Sequence, residues 1–169
     1  MENTKLTVSD FVGKYEACRL PQEKADLWAG IGLRTYVPYG TKTKVASEVI
    51  RRYFMTEYQT VERNAPLLYV LNRMCTVELY CPGLAVSSED ALADYDRLMQ
   101  SGALHDIIAV IGKDVSEFDA IFHMTYTDLI ENTSTPQAFF NKLSDGLMKM
   151  LDNNADTLTE VLQRVSSAS

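Results

Sequence analysis

Apolar residues recur every three or four positions along most of the chain, which is the spacing that gathers them on one face of an α-helix. Prolines, glycines and capping residues divide this pattern into about seven helices. We expect the first helix to start at Thr7 or Ser9 and the second at Pro21. The third should run from about Thr43 to Tyr58 and the fourth from Asn64 to Pro82. The fifth should run from the segment 87–90 to Ser101, and another from about Val115 to Asn132.

No segment alternates clearly between apolar and polar residues, as a half-buried strand would. The ambiguous stretch is 105–112, where isoleucine and valine predominate and either a strand or a short buried helix is an option. A lone strand would lack a hydrogen-bonding partner, so we favour the helix. The sequence therefore predicts an all-α, single-domain bundle over residues 1–169, with residues 1–6 and 166–169 frayed.

The last apolar stripe is the longest. Apolar residues from Phe139 to Leu151 stay in helical phase with those from Leu158 to Val165, across the polar segment 152–154. A break in the helix would normally lose this phase. We therefore expect one C-terminal helix from Pro136 to Val165, about 45 Å long at about 1.5 Å per residue.

The charge balance argues against several partners. The chain has 16 basic and 23 acidic residues, a net charge of −7, whereas nucleic-acid-binding proteins usually present a basic face. The densest basic group, interrupted by Glu48, is interpreted as a solvated helix face; it comprises Lys42, Lys44, Arg51 and Arg52. We expect no direct binding of nucleic acid. No stretch approaches the roughly 20 apolar residues of a membrane span, and no signal peptide opens the chain, which favours a cytoplasmic protein.

Candidates for catalysis or metal binding are few. Asp119 and His123 are four residues apart and can touch on a helix, but no nucleophile motif accompanies them, so a surface pair is the better interpretation. Three acids, Glu117, Asp128 and Glu131, share one helix face without any Glu-x-x-His motif, which indicates a solvated face. The odd set of cysteines is expected to be free thiols: Cys18, Cys75 and Cys81. We predict no catalytic residue, metal site or cofactor.

Glu78 is the most unusual residue of the fourth helix, because it falls inside a broad apolar arc that includes Leu67, Leu71 and Met74. We therefore predict that Glu78 is a buried polar residue with a partner, since an unpaired buried carboxylate is costly. A structural ion pair with an arginine is favoured over a tuned catalytic acid.

An aromatic segment supplies the candidate protein-binding residues. The candidate patch joins Trp28, Tyr36, Val37, Pro38 and Tyr39, and the predicted turn 36–40 would leave the rings of Tyr36 and Tyr39 exposed. Tyrosine and tryptophan are favoured at interfaces because they bury a large area and keep a polar group. The alternative is that Trp28 and Tyr36 simply cover the core.

Two parts of the chain resemble a known group of proteins. The first is the segment 36–39 followed by Lys42 and Lys44, and the second is 95–98, with 116–118 and 128–132 downstream. Over roughly residues 8–150 the chain resembles small helical accessory or assembly proteins of tailed bacteriophages and of prophages in Gram-positive hosts. The resemblance implies an accessory or assembly protein and assigns no site residues.

Three functions remain as hypotheses. The first is a non-enzymatic phage or prophage protein that acts through contacts with a phage structural or host protein, in virion assembly or as a small structural component. A homo-oligomer is an alternative partner, and the location would be the host cytoplasm or the virion. The second is an acidic inhibitor of a host defence protein such as a nuclease. The third is an enzyme with an unfamiliar site near Glu78.

Overall fold

Helices account for nearly all regular structure in the computed structural model, which describes residues 5–56, 61–87 and 90–134. Within these ranges the elements are β1 (Leu6–Thr7), α1 (Val8–Ala17), α2 (Pro21–Gly30), α3 (Tyr39–Phe54), α4 (Ala65–Tyr80), β2 (Leu84–Ala85), α5 (Ala91–Gln100), α6 (Ala103–Ile111) and α7 (Lys113–Ser134). The all-α class is confirmed, and the described part ends in a long helix of 22 residues. The helix predicted over 136–165 lies outside the described residues.

Local signals explain where several helices begin and end. The Thr7 hydroxyl accepts a hydrogen bond from the Asp10 amide and caps α1, and the Asn64 side chain caps α4 in the same way through Leu67. At the end of α5, Gly102 adopts a φ of 78°, which glycine tolerates best. The prediction for α3 is corrected, because the helix begins at Tyr39 and ends at Phe54.

The ambiguous stretch forms helix α6, as favoured. Its buried residues Leu104, Ile107 and Ile111 recur at intervals of three and four, so the aliphatic run covers the core as one helical face. The high β-propensity of isoleucine and valine is outweighed by this burial.

Two hydrophobic clusters form the core, and α4 contributes to both. One gathers α1, α5 and α6 around Phe11, Tyr80 and Leu98. The other packs α3 and α7 around Phe54 and Phe118. Helices α3 and α7 run in the same direction, since their first turns meet and the Phe54 ring lies 5.0 Å from that of Tyr126 near the far end.

The two short strands join the N-terminus to the middle of the chain. They pair in parallel, with Leu6 opposite Leu84, and the Leu6 amide also donates to the Gly83 carbonyl at 2.9 Å. The Gly83 amide donates to the Ile31 carbonyl at 2.9 Å. A Cβ at Gly83 would lie 2.9 Å from the Ile31 Cα, so only glycine allows this approach of the two backbones.

We predict that Gly83→Ala destabilises the protein by about 2–3 kcal/mol, because the added methyl group meets backbone that cannot move aside. Gly13→Ala is the matched control. Gly13 lies within α1 with nothing near its Cβ position, so alanine there should stabilise by about 0.5–1 kcal/mol. Urea denaturation measures both, and an unchanged midpoint for Gly83→Ala would contradict the close approach.

Candidate protein-binding site

The aromatic segment before α3 is divided between core and surface. Val37 is only 1% exposed and belongs to the core, whereas Tyr36 and Tyr39 are 63% and 59% exposed. Pro38 between them is also exposed and occupies the capping position of α3. The predicted turn 36–40 is therefore shorter than expected, because Tyr39 is already the first residue of α3. We call Tyr36, Pro38 and Tyr39, the end of this turn and the start of the helix, the tyrosine loop. The buried side chain of Val37 fixes this loop to the core and is not available to a partner.

Trp28 lies apart from the tyrosine loop, in the first core cluster. Its ring is half-buried and stacks at a tilt on Phe11 and Tyr15, with centroids 5.8 Å away in each case. This placement matches the alternative interpretation in which Trp28 covers the core.

The tyrosine loop is held by an unusual buried cation. Lys42 is 0% exposed, and its ammonium group bonds to Asp114 Oδ1 at 2.7 Å and to Glu117 Oε2. The second oxygen of Asp114 accepts from the Val37 amide at 3.0 Å and from the Tyr80 hydroxyl at 2.8 Å. Asp114 therefore joins the loop, α3, α4 and α7 at one point. We call these five residues the Lys42 network.

The helical spacing of α3 explains why Lys42 is buried. Lys42, Ala46, Ile50 and Phe54 are four residues apart in turn and form the buried face of the helix. The interpretation of the basic group as a solvated face is thus wrong for Lys42 and right for Lys44, Arg51 and Arg52, which are exposed. The register with Ala46 and Ile50 was the signal that sequence reasoning missed.

The Lys42 network keeps its charges. Burial by itself would raise the pKa of Asp114, but the bonds from Lys42, Tyr80 and the Val37 amide outweigh it and lower that pKa. Burial would likewise lower the pKa of Lys42, but the two carboxylates raise it. Burial and the bond to Asp114 raise the pKa of Tyr80. Near neutral pH Lys42 is therefore a cation facing the Asp114 carboxylate, and Tyr80 is a neutral hydrogen-bond donor.

The network also orients the Tyr36 ring. The Lys42 ammonium lies 5.5 Å from the centre of this ring, within range of a cation–π interaction. The loop is thus restrained through the Tyr36 ring, the Val37 amide and the buried Val37 side chain. It presents two exposed aromatic rings from a rigid support.

The prediction for Glu78 is wrong. Glu78 is exposed, although its neighbours Cys75 and Val77 on α4 are buried. The end of its side chain reaches solvent because α3 and α4 leave an open cleft on this side of the helix, lined in part by Glu78 and Arg52. No hydrogen bond or ion pair of its carboxylate occurs within the described part of the chain. The buried acid required by the enzymatic hypothesis is therefore not formed.

Of the other titratable candidates, Asp119 and Glu117 have structural partners, and the remaining ones are exposed. Asp119 accepts from Arg73 at 2.9 Å and from Asn72 at 3.0 Å, and His123 is exposed, so the expected Asp119–His123 pair is not formed. Glu117 belongs to the Lys42 network, whereas Asp128 and Glu131 are exposed on α7. Glu117 is still 51% exposed, so all three acids reach solvent and the predicted solvated acidic face is confirmed.

Cysteine chemistry and metal binding find little support in the described ranges. Burial raises the pKa of Cys75 and Cys81 to about 12 in each case, so both thiols stay protonated. Residues 5–56, 61–87 and 90–134 contain no cluster of three or more potential metal ligands. Over the same ranges, no helix has the combination of length and apolar character that spanning a bilayer requires.

Comparisons with known proteins found no protein similar to this chain. No family model matches the chain, and searches of curated proteins and of solved structures found no match either.

We predict that Lys42→Met lowers the free energy of unfolding by about 3 kcal/mol. Methionine can fill the space of the lysine stem, but Asp114 would remain as a largely buried charge without its cation. Glu117 is 51% exposed, which keeps the loss at the lower end of the range for broken buried pairs. Lys44→Met is the control, since its side chain is 75% exposed and should matter by less than about 0.5 kcal/mol. Equal effects of the two variants in urea denaturation would refute the network.

Lowering the pH should lower the free energy of unfolding, because Asp114 becomes protonated. Its pKa is lower in the folded chain than the roughly 3.9 of an unfolded aspartate, so its contribution is complete above that value and is lost as the pH falls through the folded pKa. Asp106 adds to this loss, because bonds from Tyr15 and Lys24 lower its pKa as well. We expect the free energy of unfolding to fall as the pH drops below about 4, and to fall less in Asp114→Asn. Parallel pH profiles would show that Asp114 does not contribute.

Proposed function

We propose that the protein acts by binding another protein through the tyrosine loop, without chemistry of its own. The observation that carries this proposal is the pair of rings, Tyr36 and Tyr39, which stand more than half exposed on a loop that the Lys42 network holds in place. Large exposed aromatic residues on a fixed support are typical of binding surfaces.

The restraint on the loop favours tight binding. A flexible loop loses conformational entropy when it docks, and this loss opposes association. Here Pro38 limits the backbone, and Val37 fixes it from below through its buried side chain and its bond to Asp114. The tyrosine loop would therefore dock with its conformation already selected.

The partner we propose is a structural protein of a phage or prophage, and the role is virion assembly or a place in the virion. The motifs that resemble phage accessory proteins include the tyrosine loop itself and Lys42, which supports a shared use of this surface. Self-association through the loop is the alternative. Inhibition of a host nuclease would instead use the acidic side chains, and its complex would weaken steeply with salt.

We predict that Tyr36→Ala combined with Tyr39→Ala abolishes binding to the relevant protein encoded by a neighbouring gene. Each truncation at a hot spot costs about 2 kcal/mol or more, which is roughly a 30-fold loss of affinity. Binding is measured by calorimetry with purified neighbouring gene products, and self-association by sedimentation. Folding should be unchanged, because both rings are mainly in solvent.

Tyr69→Ala provides the matched control. Tyr69 is also a half-exposed tyrosine, but it stands on α4 and packs edge-on against Tyr95. This variant should keep full affinity. If the loop variants bind as the wild type does, the tyrosine loop is not the binding surface. If, in addition, binding is lost in the variants Glu117→Gln, Asp128→Asn and Glu131→Gln, the acidic face of α7 is the binding surface.

A further inference from the structure

The backbone of the tyrosine loop places its two rings on one side. Pro38 has a φ of −58° and a ψ of 141°, which is close to polyproline II geometry, and the residue before a proline is restricted to extended backbone. Polyproline II has three residues per turn, so residues three apart project in the same direction. This explains why Tyr36 and Tyr39 are both exposed whereas Val37, between them in the chain, is buried.

The spacing of the two rings leaves room for one further ring. Polyproline II rises about 3.1 Å per residue, so the Cα atoms of Tyr36 and Tyr39 are expected to lie about 9 Å apart. A flat side chain that touches a ring on each side needs about 7–8 Å, since carbon atoms in contact are about 3.5–4.0 Å apart. The two rings do not pack on each other, because the ring pairs in the described part of the chain involve other residues. The compact apolar ring of a proline fits this space.

The hydroxyl groups of the loop are available as hydrogen-bond donors. Neither the Tyr36 nor the Tyr39 hydroxyl has a hydrogen bond within the described residues. A proline-rich segment in polyproline II has no internal hydrogen bonds, so its carbonyl groups can accept from outside. Such a segment is also ordered before it binds, which keeps the entropy loss of the partner small. A preformed ligand therefore suits a loop that is itself restrained.

An acidic side chain next to the loop favours a basic residue beside the proline. Glu117 is 51% exposed and bonds to Lys42 through Oε2, whereas its Oε1 atom accepts no hydrogen bond within the described ranges. The Lys42 ammonium also lies 5.5 Å from the centre of the Tyr36 ring. Glu117 and this ring are therefore less than about 9 Å apart, since a hydrogen bond is about 3 Å long. One cation of the partner could contact both the ring and the carboxylate.

We propose that the tyrosine loop binds a proline-rich segment of its partner, with a proline ring between Tyr36 and Tyr39 and a neighbouring arginine at Glu117. This inference rests on the proposed function and adds the chemical class of the ligand. The partner would present the segment as an exposed linker, because proline-rich linkers adopt the extended conformation that the site requires.

Synthetic peptides test the class of ligand on the full-length protein. The probes are an oligoproline with arginines at one end, the same oligoproline with glutamates there, and a glycine–serine peptide of equal length with the arginines. Binding is followed by the shifts of backbone amide signals in NMR titrations. We expect the arginine-flanked oligoproline to bind, the glutamate-flanked one to bind about fivefold more weakly, and the glycine–serine peptide not to bind measurably.

Variants of the protein assign the contacts. Tyr36→Ala combined with Tyr39→Ala should weaken binding of the oligoproline by about tenfold or more, whereas the corresponding double phenylalanine variant keeps the rings and should lose less. Glu117→Gln should still bind but should no longer distinguish the arginine-flanked from the glutamate-flanked peptide. In the wild type, added salt should reduce the same difference. Tyr69→Ala is the control and should bind as the wild type does.

Four outcomes overturn the proposal. If a neighbouring gene product binds through the tyrosine loop but no oligoproline binds, the proposed function stands and the class of ligand is wrong. Oligoproline binding that survives the double alanine substitution places the site elsewhere. Equal binding of the glycine–serine peptide shows attraction of charge alone. Tighter binding of the glutamate-flanked peptide shows that exposed cations such as Arg34 and Lys44, rather than Glu117, set the preference.

Failure of the proposed function gives a different result. In that case the double alanine variant loses the oligoproline but still binds the neighbouring gene product as the wild type does. The loop would then hold a proline-rich ligand without being the surface used for that partner.

Discussion

The buried contact between Lys42 and Asp114 is the interaction on which the arrangement of this protein depends. It brings the first turns of the parallel helices α3 and α7 together, and through Val37 and Tyr80 it also positions the tyrosine loop and α4. An ion pair in this position is a costly way to gain stability, because both charges must leave water. Its value lies in specificity, since one lysine and one carboxylate define a single relative placement of four segments.

The two core clusters hold different sets of helices together. The cluster around Phe11 and Leu98 contains mostly short helices, and the close contact of Gly83 with Ile31 ties the N-terminal strand to it. The cluster around Phe118 contains the longest helices. Helix α4 belongs to both, which explains why its apolar arc is so broad.

The position of the proposed binding surface follows from this arrangement of the core. The tyrosine loop lies where the Lys42 network meets the surface, so the contacts of this network support its exposed rings. An aromatic pair on a segment restrained in this way suits the binding in trans that we propose for it.

The amino-acid sequence determined the helices, because helical spacing and capping are local properties: Thr7, Asn64 and the aliphatic run of α6 acted as expected. It also indicated the exposed tyrosines. Tertiary structure decided which individual charged side chains are buried and which are exposed. Lys42, expected in solvent, is buried because α7 supplies carboxylates 72 and 75 residues away, and Glu78, expected to be buried, is exposed because α3 leaves its side of α4 open. Whether a charge is paired or solvated depends on its neighbours in space, and local sequence does not contain them.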